Sequence, residues 1–352
     1  MQLSKYITKY IEAKKIRKVF MLSGTGSIYL DDAFSKSKKL NYICARHEAA
    51  AVMMANATSK LSGNVGVVIA TTGPGGTNAI GGLAESWVDS VPILVISGQT
   101  FGYQISNKAR SFGLQGFNII DNVKKITKYS AIINDPQKIK YHLDKAFYYA
   151  SEGRPGPVWL DIPMDIQAAE VKPNLLRGFK KIDKIKKNKA SKYKKLSSLL
   201  NNSKNPAILY GQGIRLSKSV NEFRKFIRNL NIPSICTRMG LDILKYNETN
   251  FFGLAGIRGH KFSQKIIKKA DLLLTIGTSI PHTVIGKDLN NLNKNVQIIS
   301  NDIDLNELNK KNLIKPKILF NEDCKTFLTT ARKFLKKTKN YKWSNWINYC
   351  KQ

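Results

Sequence analysis

Short runs of consecutive apolar residues alternate with segments of helical spacing in the N-terminal half of this chain. Lys18 to Leu22 precedes Ile28 to Phe34, Tyr42 to Ala45 precedes Glu48 to Leu61, Val65 to Ala70 precedes Asn78 to Val88, and Ile93 to Ser97 follows. Unbroken Val/Ile/Leu runs are what strands covered on both faces require, and strands separated by helices favour parallel pairing. The pattern predicts an α/β domain built on an open, mostly parallel sheet. A strand at Pro157 to Asp161 brings this domain to its end near Val171, giving a boundary at 1–171. The rhythm resumes beyond a Lys-rich linker at 172–195, with Ala207 to Tyr210, Val220 to Leu230, Ser234 to Thr237, Phe262 to Lys269, Asp271 to Ile276 and Val296 to Asn301. A second open-sheet α/β domain is predicted over 196–336, followed by a tail at 337–352 that carries Trp343 and Trp346.

In an open parallel sheet, ligands bind at the loops that follow the carboxyl ends of the strands. Gly24, Glu48 and Gly73 to Gly76 each follow an apolar run, which places them on one rim. A carboxylate at such a junction can bond a ring nitrogen of a heterocycle, and small neighbours let backbone groups approach that ring. The plainer reading of Glu48 is an acid in a helix's first turn, favoured by about 0.3 to 1 kcal/mol. The loop Thr71-Thr72-Gly73-Pro74-Gly75-Gly76-Thr77-Asn78 is neither GxGxxG nor a Walker loop, because no Lys-Ser/Thr follows its glycines. A turn-forming or phosphate-cradling loop stays open for it. Gly24-Thr25-Gly26 also reads as a tight strand-to-helix turn, and Gln115 as an exposed loop amide able to donate or accept. Of the four histidines, His142, His260 and His282 stand singly and read as structural or exposed. Gly211-Gln212-Gly213 after an apolar run is a GxG, which is usually just a turn.

Composition narrows the function classes. The formal charge of +34 would ordinarily point to nucleic acid or an anionic membrane. The lysines are scattered from Lys5 to Lys351, however, and the densest cluster, Lys180 to Lys195, coincides with the linker, so neither partner is expected. The four cysteines, Cys44, Cys236, Cys324 and Cys350, form no CxxC pair, so neither a zinc site nor a disulfide framework is indicated and a reducing cytoplasm is expected. Met1 to Lys18 mixes charges throughout, and no apolar run approaches about 18 residues, so neither a secretion signal nor a membrane span is expected.

In order and spacing, Arg46-His47-Glu48, Val65 to Ala70 and Thr71 to Asn78 resemble the pyrimidine-binding domain of thiamine diphosphate enzymes of the acetolactate synthase group. Ile93 to Gln99, Lys125 to Ser130 and Gly153 to Pro163 continue the match in family order, and Gly253 to Gly259, Ala270 to Gly277 and Asn301 to Leu305 resemble the middle domain more loosely. The resemblance implies a thiamin-diphosphate-binding fold followed by a Rossmann-like central domain. It makes Glu48 the catalytic residue, bonded to the aminopyrimidine so that its imino tautomer takes the proton from the thiazolium carbon. It assigns thiamine diphosphate contacts to Gly24, Thr25, Glu48, Thr72, Gly73, Pro74, Gly75, Asn78 and Gln115. Ser23 and Thr25 stand where the family has Pro and a second Gly, and Gly116 and Asn118 replace acidic residues.

The implied activity is decarboxylation of a 2-keto acid with carboligation to a second carbonyl. The acceptor is open among pyruvate, 2-ketobutyrate and a keto sugar, since ITKYS with GRPGPVWLDIP is also similar to members from surface-sugar gene clusters. A Gly-Asp-Gly domain that holds the diphosphate through Mg²⁺ is expected to be missing, because the sequence contains no Gly-Asp dipeptide. The tail then corresponds to the segment leading to that domain; either the chain is a truncated copy or another polypeptide supplies the domain, and the chain alone is expected to be inactive. Ser279-Ile280-Pro281-His282 stands where acetolactate synthases carry a flavin-binding Phe-Asp-Asp-Arg, which argues against FAD. A homodimer or tetramer is expected, with Trp87, Val91 and Pro92 as candidate contacts. The alternative is a noncatalytic truncated, binding or oligomerisation subunit of such an enzyme.

Overall fold

A computed structural model describes residues 1–105, 110, 113–181, 188–248, 250–286, 292–308, 315–335 and 343–352. The chain divides into two compact units, Met1–Asp183 and Lys184–Gln352. Residues 182–187 of the expected linker and 337–342 of the expected tail lie outside the described residues.

The first unit holds a six-stranded sheet of β1 (Lys18–Met21), β2 (Asn41–Cys44), β3 (Gly66–Ala70), β4 (Ile93–Gln99), β5 (Tyr129–Ile132) and β6 (Val158–Pro163). The order is β2-β1-β3-β4-β6-β5, and every neighbouring pair is parallel. Every residue of β3, β4 and β6 is buried, as continuous apolar runs in the sheet centre require, whereas the edge strand β2 is largely exposed. The helices are α1 (Leu3–Ala13), α2 (Ile28–Ser35), α3 (Glu48–Ser62), α4 (Pro74–Val88), α5 (Ile119–Val123), α6 (Ile139–Ser151) and α7 (Met164–Ala168). One face of the sheet packs against Leu3, Ile7, Ile11, Phe34 and Leu143, and the other against Ala51, Val52, Ala55, Ala79 and Leu83. Val91 is 1% exposed inside the second of these cores, which corrects its expected role as a contact for another subunit. Trp87 stays 39% exposed and its neighbour Val88 70%.

The second unit contains β7 (Pro206–Tyr210), β8 (Ser234–Cys236), β9 (Phe251–Leu254), β10 (Leu272–Ile276), β11 (Gln297–Asp302) and β12 (Ile318–Asn321), in the order β12-β11-β10-β7-β8-β9 and all parallel. Its helices are α8 (Ala190–Asn202), α9 (Gly213–Leu216), α10 (Val220–Leu230), α11 (Lys261–Lys269), α12 (His282–Ile285), α13 (Leu305–Leu308), α14 (Cys324–Leu335) and α15 (Ser344–Lys351). The described tail is docked on this unit: Trp343 donates its indole N–H to the Ser203 carbonyl at 3.1 Å, and Trp346 to that of Pro206 at 2.9 Å. The Gly211–Gly213 turn packs against the end of β10, with the Gly213 N–H donating to the Gly277 carbonyl at 2.9 Å, so it serves as loop packing. Among the described residues no helix is long and apolar enough to cross a membrane.

Strands β4 and β6 carry a buried polar network through the middle of the first sheet. Ser97, Gln99 and Asp161 are 1%, 1% and 0% exposed. Asp161 accepts from Ser97 Oγ at 2.5 Å and from Gln99 Nε2 at 2.9 Å, and Ser97 Oγ in turn accepts from the Trp159 indole at 2.7 Å. Burial pushes the Asp161 carboxyl up to about 7, against the opposing pull of the Ser97 and Gln99 donors. The folded state therefore holds a proton that the unfolded state has released. The stability linked to this group is full below its ordinary value of 3.8 and is lost as pH rises through about 7. Asp161→Asn is expected to flatten the loss of melting temperature between about pH 4 and pH 7 relative to wild type. Melting curves offset by the same amount at every pH would contradict it.

Candidate functional site

Three loops meet at the carboxyl ends of β1, β2 and β3. After β2, His47 caps α3 by accepting the Ala49 N–H on Nδ1 at 3.1 Å, which makes Glu48 the first helical residue. Glu48 is 5% exposed. Its Oε2 accepts from Asn78 Nδ2 at 3.1 Å, while Oε1 has no hydrogen-bond partner among the described residues and faces Gly75, where an added Cβ would lie 3.3 Å away. The helix N-terminus and the Asn78 amide offset the desolvation of this carboxylate.

After β3, Gly73 caps α4 with φ +58° and ψ −115°, a conformation closed to other residues, and Pro74 occupies the first helical position. This explains why α4 begins at Pro74 although the helical spacing points to Asn78. Thr72 is buried and donates to the Gly98 carbonyl at 3.3 Å. After β1, the Gly24–Ser27 turn lies against Thr71 and Thr72. Asp31 accepts from the Gly24 N–H at 3.2 Å and the Ser27 hydroxyl at 2.9 Å, and Gln167 donates to the Gly26 carbonyl at 2.7 Å. Burial pushes the Asp31 carboxyl up to about 6 against those two donors.

The predicted residues therefore converge. Glu48, Gly75 and Asn78 form one contact set, Gly24 joins it through Thr71, Thr72 connects to β4, and Gly73 sits against Gln115. Thr25 and Pro74 are exposed at the rim. Gln115 is exposed with φ +55°, and its side chain makes no hydrogen bond among the described residues, so what reaches the rim is its backbone at Gly73. Asp31, Gln99, Asp161 and Gln167 were not singled out by the sequence. The available signal was a polar residue inside an otherwise apolar run, as in ILVISGQ and VWLDIP.

Two of the three single histidines are engaged elsewhere: His142 Nδ1 with the Tyr129 hydroxyl at 2.5 Å, and His260 Nδ1 with the Leu254 N–H at 3.1 Å. Among the described residues no group of His, Cys, Asp and Glu could hold a metal ion. The groups at Glu48 fit a planar nitrogen heterocycle: a largely buried side chain with one carboxylate oxygen held and the other open, and a glycine where a side chain would block the approach.

Two family descriptions match this chain: the thiamine pyrophosphate enzyme N-terminal TPP binding domain over residues 1–123, and the thiamine pyrophosphate enzyme central domain over residues 193–330. The chain is 32% identical over 330 residues to the acetolactate synthase large subunit of Lactococcus lactis subsp. lactis (strain IL1403), covering 93% of this chain and 56% of that protein. It is 29% identical over 307 residues to the acetolactate synthase isozyme 2 large subunit of Escherichia coli (strain K12), covering 87% and 55%. It is 33% identical over 310 residues to the chloroplastic acetolactate synthase 1 of Zea mays, covering 86% and 47%. The chain spans about half the length of these curated relatives.

The Gly73 conformation generates a direct test. A Cβ there would lie 2.6 Å from the Gln115 carbonyl oxygen, in addition to the backbone strain. Gly73→Ala is expected to lower the stability of the first unit by about 1 to 3 kcal/mol in urea unfolding. An unchanged midpoint and slope would refute this geometry.

Proposed function

Because this chain belongs to the thiamine pyrophosphate enzyme family, we propose that the rim around Glu48 receives the aminopyrimidine ring of thiamine diphosphate. The activity proposed for the protein is acetolactate synthase-type decarboxylation of a 2-keto acid, pyruvate in the first place, with carboligation to a second carbonyl. When bound, thiamine diphosphate supplies the nucleophilic carbon for this chemistry. Glu48 would share a proton with a ring nitrogen through its open Oε1, and Asn78, by holding Oε2, would keep the carboxylate from rotating away. Gly73 and Gly75 leave the ring face clear, and Thr72 and Pro74 shape the loop beside it. Gly24, Thr25 and Gln115 would line the side from which substrate approaches. The observation that carries this reading is a carboxylate only 5% exposed with one oxygen held and the other left open beside a glycine.

Mg²⁺ and the diphosphate are assigned to residues beyond those described here, on a further segment or a separate chain. No flavin is part of the proposal, given Ser279-Ile280-Pro281-His282 after β10. A cytoplasmic location is proposed on the strength of four free thiols, Cys44, Cys236, Cys324 and Cys350. Self-association is proposed through the outer faces of α3 and α4, where Met53 is 49%, Trp87 39% and Val88 70% exposed.

Two measurements follow. With a diphosphate-binding polypeptide supplied and residues 1–352 alone as the background, Glu48→Gln is expected to lower acetolactate formation about 10²- to 10⁴-fold, because an amide cannot share a proton as a carboxyl can. Its folding stability should move by about 1 kcal/mol or less. A wild-type rate in the variant would reduce Glu48 to a helix-start residue. In sizing experiments the chain should run as a dimer or larger, and the pair Trp87→Glu and Val88→Glu should shift it to monomer. A wild-type chain that stays monomeric at high concentration would remove the α3–α4 interface.

A further inference from the structure

We infer that Gln99, held by Asp161, is a positioning residue that fixes the segment carrying Gln115 against the Gly73 turn. The inference rests on the reading of that rim as the cofactor site. Gln99 is 1% exposed at the end of β4, and every polar atom of its amide is used. Its Nε2 donates to Asp161 Oδ2 at 2.9 Å and to the Phe117 carbonyl at 2.7 Å, while its Oε1 accepts the Thr100 N–H at 3.0 Å. The Phe117 carbonyl also accepts the Ile119 N–H at 3.0 Å, so the same oxygen marks the start of α5. Two residues before Phe117, the Gln115 backbone meets Gly73.

The direction of the chain of contacts is set by burial. Asp161 lies opposite Ser97 in the parallel register of β4 and β6, wholly inside the sheet, and among the described residues its side chain is hydrogen-bonded by Ser97 and Gln99 alone. A carboxyl group shut off from water orients its hydrogen-bond partners strongly, since losing one leaves a buried polar atom uncompensated. The Gln99 amide cannot swing out to solvent without breaking that bond. The segment itself is a turn closed weakly by the Gly116 N–H on the Gly113 carbonyl at 3.4 Å, with Gln115 in the left-handed region. Such a turn on the surface opens readily unless anchored, and Gln99 supplies the anchor from below.

Hydrogen exchange on residues 1–352 tests this without any cofactor. Gln99→Leu, which keeps the Asp161–Ser97 bond and removes both donations, is expected to speed exchange at residues 117–119 by about tenfold or more while α3 keeps its protection. Ser97→Ala, which leaves the Gln99 clamp in place, should keep wild-type exchange there. Unchanged exchange in Gln99→Leu overturns the inference, as does an equal loss of protection across the whole first unit, which is what a merely structural core role would give. If Gln99→Leu does not fold, Asp161→Ala serves as the second variant, with the same local increase expected and a uniform one overturning it. In the reconstituted assembly Gln99→Leu should raise the half-saturating thiamine diphosphate concentration about tenfold or more, and an unchanged value contradicts the positioning role. Failure of the cofactor-site reading would show separately, as a wild-type rate in Glu48→Gln.

Discussion

A carboxylate withdrawn from water is unfavourable unless donors replace its hydration, and Glu48 is 5% exposed with a single side-chain donor among the described residues, Asn78 at 3.1 Å. The remaining compensation comes from its place at the first position of α3. That leaves Oε1, beside Gly75, without a hydrogen-bond partner among the described residues, in a setting where an incoming N–H would satisfy it. The rest of the rim is arranged around this deficit. His47 starts the helix, Gly73 turns the chain into α4 so that Gly75 and Asn78 face Glu48, and Asp31 and Gln167 hold the turn after β1 alongside.

Strand order gives the rim its rigidity. Strands β1, β3 and β4 are neighbours in the sheet, so the loops after them lie side by side, and Thr72 bonded to the Gly98 carbonyl ties the loop after β3 to β4. The buried network of Trp159, Ser97, Asp161 and Gln99 extends this from the sheet interior to the Phe117 carbonyl. Packing and site are thus joined through hydrogen bonds that are buried from Trp159 to Gln99 and partly buried at the Phe117 carbonyl.

Much of this was legible in the sequence, for reasons that can be stated residue by residue. Strands β3, β4 and β6 announce themselves because both faces are covered and the runs GVVIA, ILVISGQ and VWLDIP stay apolar apart from the network residues. The edge strand β5, YSAI, and the short strand β9, FFGL, have no such run, since partial exposure relaxes the pattern. Glu48, Gly73, Gly75 and Asn78 were readable because they are close in sequence to recognisable junctions. The onset of α4 was not, because Gly-Pro-Gly-Gly has loop composition and becomes helical only once Gly73 adopts a positive φ. The Asp161–Gln99 pairing was hidden for a different reason: it depends on the register between two strands 62 positions apart, which no local spacing encodes.

The central claim of the proposed function is that Glu48 would present a carboxylate oxygen to a ring nitrogen of thiamine diphosphate. The most direct measurement is the ¹⁵N chemical shift of the pyrimidine ring nitrogen in labelled thiamine diphosphate bound to the assembled enzyme. A shift displaced from that of the free cofactor in wild type, and returned most of the way to the free value in Glu48→Gln, is the expected result. The same displaced shift in both proteins would contradict the bond to Glu48.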